Sequence, residues 1–177
     1  MIGCGIAIST MVGQRLGAGR PAAAEYCTWS GAHLALVYMG VMAFAYLFLP
    51  NLFLMPFASK AQGAEFVAAR TMAIILLRLV ALYCLFDALY MVFTAALKGA
   101  GDTRYVMVAS LLLGWGVLLV PTIVALVYFN AGLYTLWAFM CGYVIILGML
   151  FYRRFRTGRW KTMRVIDTPL VVAVDKA

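Results

Sequence analysis

The sequence predicts an all-α, polytopic integral membrane protein, a bundle of four full transmembrane helices and the end of a fifth. Three observations predict it. Of the 177 residues, 66% are hydrophobic and 11% charged, with a mean hydropathy of +0.99; a water-soluble domain of this length has no use for so much apolar surface. The apolar residues form four runs of at least about 20, enough to cross a core of about 30 Å at 1.5 Å per residue. The basic residues gather at the ends of those runs, so the net charge of +8 is a membrane-topology signal and not a nucleic-acid footprint.

Met1–Val12 comes first, apolar and rich in small residues, but twelve residues rise only about 18 Å. No basic residues precede it as they would in a signal peptide, so it reads as the end of a longer helix in a truncated chain. The next helix is expected from Pro21 to Leu49, ended by Pro50, with Pro50 and Pro56 shaping a loop. A third helix is expected over about 64–97, a fourth over 104–129 and a fifth over 132–152. A basic tail covers 153–164, closing a unit of residues 1–164. Residues 165–177 form a C-terminal extension with no clear role.

If the spans alternate, Arg15, Arg20, Lys98, Arg104 and the tail cations Arg153, Arg154, Arg156, Arg159, Lys161 and Arg164 share one side. Lys60 and Arg70 lie on the other. That asymmetry places the basic loops and the C-terminus in the cytoplasm. The tail, with Phe155 and Trp160 among its cations, suits an interfacial belt or contact with anionic headgroups. Cys4, Cys27, Cys84 and Cys141 are spread through apolar runs and read as free, packed thiols. His33, near the start of an apolar helix, reads as a hydrogen-bonded helix-end residue.

Two turns on the basic side resemble each other. The first holds Gly13, Gln14, Gly17 and Gly19; the second holds Gly99, Gly101, Asp102 and Thr103. Glycine allows positive φ and close approach of helix ends. Pro21 suits the first position of the helix after the first turn. Asp102 or Thr103 is expected to cap the helix after the second. Without a GK[ST] ending or a preceding strand, these are helix hairpins and not phosphate loops. Gly114, Gly116, Gly142 and Gly148 suit close helix packing. Gly40 and Pro121 suit bending, and Trp115 and Trp137 suit a cavity wall or an interfacial belt.

Asp87 stands inside the run IILLRLVALYCLFDALYMVFTAAL. A carboxylate at bilayer depth costs about 2.5–3.5 kcal/mol and normally faces a bundle interior or a watery cavity. At 100° per residue, Tyr83, Asp87, Tyr90 and Thr94 share one helix face, while Arg78, nine residues before Asp87, projects from the opposite one. Carboxylate, phenol and hydroxyl oxygens suit a hard cation such as Na⁺ at Asp87; the carboxylate can equally carry a proton. A purely structural hydrogen bond from Asp87 to a neighbouring helix is the plain alternative.

Three stretches carry a family likeness. They are Ser9-Thr-Met-Val-Gly-Gln-Arg-Leu-Gly-Ala-Gly19, then Leu85-Phe-Asp-Ala-Leu89 with Ala96-Leu-Lys-Gly-Ala-Gly-Asp-Thr-Arg104, and Gly132-Leu-Tyr-Thr-Leu-Trp137 with the Arg156-Thr-Gly-Arg-Trp160 tail. Together they resemble the C-terminal lobe of multidrug and toxin extrusion (MATE) transporters, from the end of helix eight through helix twelve. The resemblance implies a partial lobe of a twelve-helix, two-lobe fold in a cell membrane, with a bacterial inner membrane as the expected setting. It implies a transporter and not an enzyme: an exporter of drugs or organic cations in exchange for Na⁺ or H⁺, with no cofactor beyond the coupling ion. Asp87 and Tyr83 match the acidic residue and tyrosine of the family's C-lobe cation site in some branches. The partners implied are the lipid bilayer, the N-terminal lobe, the remaining C-lobe helices and a small-molecule drug. Alternating access needs two halves, so this stretch by itself is not expected to complete it. Two other readings stay open. One is a flippase for lipid-linked precursors, for which Arg78 is the one cation within a span; the other is a non-transporting truncated membrane fragment.

Overall fold

The computed structural model describes residues 1–58, 64–130 and 132–163. Among these the regular elements are all helices. Helix α1 covers Ile2–Gly17, α2 Pro21–Phe48, α3 Pro50–Ala58, α4 Ala64–Gly99, α5 Thr103–Leu113, α6 Val120–Phe129 and α7 Leu133–Arg156; a π-helical segment, Gly114–Leu119, joins α5 to α6, and a 3₁₀ turn, Arg159–Thr162, follows α7. Four stretches are long and apolar enough to cross a membrane: Pro21–Phe48, Arg70–Gly99, Thr103–Phe129 and Leu133–Arg156. They agree with the four expected spans.

Two local expectations change. The loop expected after α2 is a short helix. Leu49 breaks α2 with φ −123° and ψ 41°, and Pro50 then opens α3, because its fixed φ suits a first helical turn and its missing N–H is not needed there. The fourth span is not one regular α-helix. The N–H of Val120 reaches back five residues to the carbonyl of Trp115. The widened turn ends just before Pro121, whose ring has no N–H to give and would clash with a regular carbonyl ladder. By contrast, α2 runs through Gly40 uninterrupted.

Helix α4 is the hub, packed on by α1, α2 and α7. One stripe of its buried surface is made of small or slim residues at helical spacing: Ala81, Cys84, Ala88, Val92 and Ala95. Helix α2 answers with Ala24, Thr28, Ala32 and Ala35, the Thr28 hydroxyl donating to the carbonyl of Ala24 at 2.9 Å. Such stripes let helix axes approach closely, the chief source of association in lipid. Three glycines mark the tightest points. A Cβ on Gly99 would strike the backbone of Ser9 in α1, one on Gly148 would lie 2.9 Å from the carbonyl oxygen of Phe86 in α4, and one on Gly31 would lie 2.6 Å from Cδ1 of Ile8. Gly116 and Gly142, expected as packing glycines, meet nothing within 4 Å.

The large core side chains collect at one end, the end that carries the basic turns. Trp29 of α2 sets its ring edge-on to Phe93 of α4 at 5.9 Å and to Phe155 of α7 at 6.3 Å. Trp160 stacks on Phe155 at 4.8 Å, donates its indole N–H to the carbonyl of Phe155 at 2.8 Å and is 1% exposed. The tail's tryptophan is therefore a core residue; it plugs the end of the bundle instead of sitting in an interfacial belt. Trp115 is exposed and Trp137 half-buried. His33 is exposed well inside α2, not bonded at a helix end, and the four cysteines are free thiols. Lys60, Arg164 and the extension 165–177 lie outside the described residues.

Gly148→Val is expected to destabilise the bundle by about 1–3 kcal/mol, since the added atoms meet backbone that cannot move aside, while Gly142→Val stays near wild type. Thermal unfolding in detergent, followed by loss of the monodisperse gel-filtration peak, checks the contrast.

Candidate functional site

Asp87 lies well inside the α4 span and is half-buried. It faces a cavity of about 600 Å³ between α1, α2 and α4, which it shares with Tyr83, Cys84, Met42, Tyr46 and Tyr38. No side chain among the described residues bonds or pairs with its carboxylate. Arg78 is exposed and does not line this cavity, in keeping with a position nine residues away on a helix.

The stripe on α4 is divided by its neighbours. Tyr83 and Asp87 share one cavity. Tyr90 stacks on Phe151 of α7 at 6.0 Å and lines a different groove, between α4 and α5. Thr94 lines a third space of about 310 Å³ with Ser9, Thr10 and Lys98. Its hydroxyl is buried and has no hydrogen-bond partner among the described residues. The first helix causes the division: Ile2 of α1 lines both the Asp87 cavity and the Thr94 space, so α1 lies across the stripe. A helical wheel places side chains in one sector, but it cannot show another helix laid over that sector.

The structure adds oxygen groups that the α4 stripe alone did not offer. Tyr38, Met42 and Tyr46 recur every four residues on α2 and bring two more phenols to the Asp87 cavity. That spacing was visible in the sequence, although nothing there pairs that face of α2 with Asp87.

Both glycine turns close by the same device. Gly19 has φ +69° and Gly101 has φ +90°. The N–H of Arg20 reaches the carbonyl of Arg15, and the N–H of Asp102 reaches that of Leu97, each at 2.9 Å and each five residues back. This is the Schellman closure, with glycine at the left-handed position. Pro21 opens α2 as expected. Gly13 faces the carbonyl oxygen of Gly99, 3.2 Å from where a Cβ would be, and Gly17 meets nothing within 4 Å. Gln14 is exposed, its backbone carbonyl accepting from Ala18. Thr103 begins α5, but neither its side chain nor that of Asp102 caps the helix. Asp102 instead accepts a hydrogen bond from Nε of Arg154 at 2.7 Å, and that guanidinium also lies over the ring of Tyr105 at 4.4 Å. A buried carboxylate gains more from a guanidinium than from an amide. Lys161 pairs with Glu25 at 2.6 Å. These pairs tie the α4–α5 turn to α7 and the start of α2 to the tail, so the basic segments do share one end of the bundle.

The MatE family model matches residues 1–124. A probable multidrug resistance protein NorM of Brucella suis is 28% identical over 156 residues, covering 86% of this chain and 33% of its own length. Its Brucella melitensis counterpart matches to the same extent. Another probable multidrug resistance protein NorM, of Mesorhizobium japonicum, is 26% identical over 161 residues, 89% of this chain and 34% of its own. The chain thus spans about a third of the length of these relatives.

Arg154→Gln is expected to cost about 3 kcal/mol, because it leaves the buried Asp102 without its match, and Asp102→Asn somewhat less, because Arg154 is only partly buried. The double variant is expected to lose much less than the sum. A double-mutant cycle on thermal unfolding in detergent checks this; strict additivity would show that the pair does not hold the two elements together.

Proposed function

The chain belongs to the MatE family, and from that premise we propose that it forms part of a secondary efflux transporter. The transporter exports drugs or organic cations in exchange for Na⁺ or H⁺ and resides in a cell membrane with its basic turns and the end of α7 toward the cytoplasm. The observation that carries the reading is Asp87, a carboxylate inside an apolar span, facing a cavity with phenolic oxygens and, among the described residues, no side-chain cation to neutralise it. A group that costs about 2.5–3.5 kcal/mol at that depth is offset when a cation enters. Tyr83 supplies an oxygen one helical turn away, and Tyr46 supplies another from α2. The excess of cations on the turns and tail supports the orientation. The names of the relatives support a drug as cargo. Transport, not catalysis, is the activity proposed.

Coupling in this reading works through charge. With Asp87 ionised and unoccupied, its cavity favours water. With Na⁺ or a proton bound, the site is neutral and favours closure of the helices around it. Helix α1 is placed to respond, because its first residues border both the Asp87 cavity and the Thr94 space. Two states that differ in how α1 rests on α4 would differ in affinity for the ion and for a drug, as exchange requires. The flippase reading gains no support, since Arg78 lies outside the cavity.

In the protein at its full natural length, Asp87→Asn is expected to abolish drug-resistant growth of a sensitive host while membrane expression is unchanged. Tyr83→Phe is expected to weaken ion dependence by about tenfold, the worth of one hydrogen-bonding or coordinating oxygen. Efflux of a fluorescent cation into media of varied Na⁺ and pH measures both; full resistance with Asn at position 87 would sink the coupling role.

A further inference from the structure

We propose that the groove between α4 and α5 at the basic end of the bundle holds one anionic phospholipid, its phosphate between Lys98 and Arg104. The groove measures about 660 Å³, within the range of about 300–1,000 Å³ typical of ligand pockets. Its chemistry changes along its length. At the turn it is lined by the two cations and the hydroxyl of Thr103; farther along it is lined by Met107, Leu111, Ser110 and Tyr90. From Lys98 to Tyr90 the depth along α4 is about 12 Å, and Met107 and Leu111 are 64% and 59% exposed. A cationic mouth at the membrane surface leading onto an open apolar wall fits a headgroup with its chains. A free phosphate would use only the mouth.

The charge balance at this end points the same way. Two carboxylates are described here, and both are engaged: Asp102 by Arg154 and Glu25 by Lys161. Lys98 and Arg104 are exposed and have no acidic partner among the described residues. The hydroxyls of Thr103, Ser110 and Tyr90 are likewise without hydrogen-bond partners among the described residues. The Asp102–Arg154 pair fixes the turn on which Thr103 and Arg104 stand, so the second cation is carried by a backbone already held in place. A lipid phosphate would meet two positive charges and a hydroxyl, arranged around a turn whose second glycine is locked at positive φ.

Native mass spectrometry of the full-length protein, incubated with phosphatidylglycerol or with phosphatidylcholine of equal chain length, tests the site. One phosphatidylglycerol per protein is expected to be retained in preference to phosphatidylcholine. K98Q/R104Q should weaken retention by about tenfold or more, with each single variant carrying part of the loss. R153Q/R159Q, which removes exposed tail cations outside the groove, should change it less than about twofold. Unaltered gel filtration of each variant verifies folding. Equal retention of the two lipids, a silent K98Q/R104Q or an equal loss in R153Q/R159Q would overturn the proposal. So would glycerophosphoglycerol competing as well as the intact lipid, because the groove would then be a site for a soluble phosphate.

Discussion

Lipid chains are as apolar as leucine, so helices meeting inside a bilayer gain little from burying apolar surface and must gain from close approach. Helix α4 meets that constraint with a stripe of alanine, cysteine and valine, α2 answers with alanines, and glycines stand at the closest approaches of α4 to α1 and to α7. The rest of the arrangement follows. Because α1 comes close enough for Gly99 to touch the backbone of Ser9, it covers the polar stripe and divides it into separate cavities. Because Gly148 lets α7 lie directly on Phe86, the aromatic rings farther along α7 reach Phe93 and Trp29. The cavity at Asp87 is the space that remains where α1, α2 and α4 diverge.

The basic end adds a second kind of restraint. Aromatic stacking around Trp160 and two ion pairs bind the tail to the turns, so this end is tied across elements far apart in the chain. The opposite end, among the described residues, has fewer such ties: Arg70 bonds Asn51 at 2.8 Å on an exposed surface, a contact of small net worth. The Asp87 cavity lies between the two ends.

How far the sequence could be read depended on the range of the interaction involved. The spans and the Schellman turns are local: hydropathy runs and glycines carry them, and both were found where expected. The face shared by Tyr83 and Asp87 is also local and survived. What escaped was decided by partners distant in sequence. Asp102 looked like a helix cap because its neighbours are a turn and a helix start, yet its actual partner, Arg154, is 52 positions away. Trp160 looked interfacial because it sits among cations, yet Phe155 and the end of the bundle enclose it. The stripe looked continuous until α1 was laid across it. Pro50 is a different case: the same residue ends one helix and begins another, and a single sequence does not say which.

The π-helical segment before Pro121 has a geometric consequence for the fourth span. A π turn accommodates one residue more than an α turn does over the same stretch. Each residue turns the helix by about 100°, so the faces of α5 and α6 are out of register with what an unbroken helix would present. Deleting one residue of Gly114–Leu119 would remove the widened turn and leave the faces of α6 where they are; winding the same residues into a regular ladder would instead swing every side chain of α6 by about that angle. Thr122, whose hydroxyl is buried, would then turn toward different neighbours, while α5 and its groove stayed where they are. The widened turn thus acts as a phase shifter: it lets the two halves of one membrane-spanning rod answer to different neighbours.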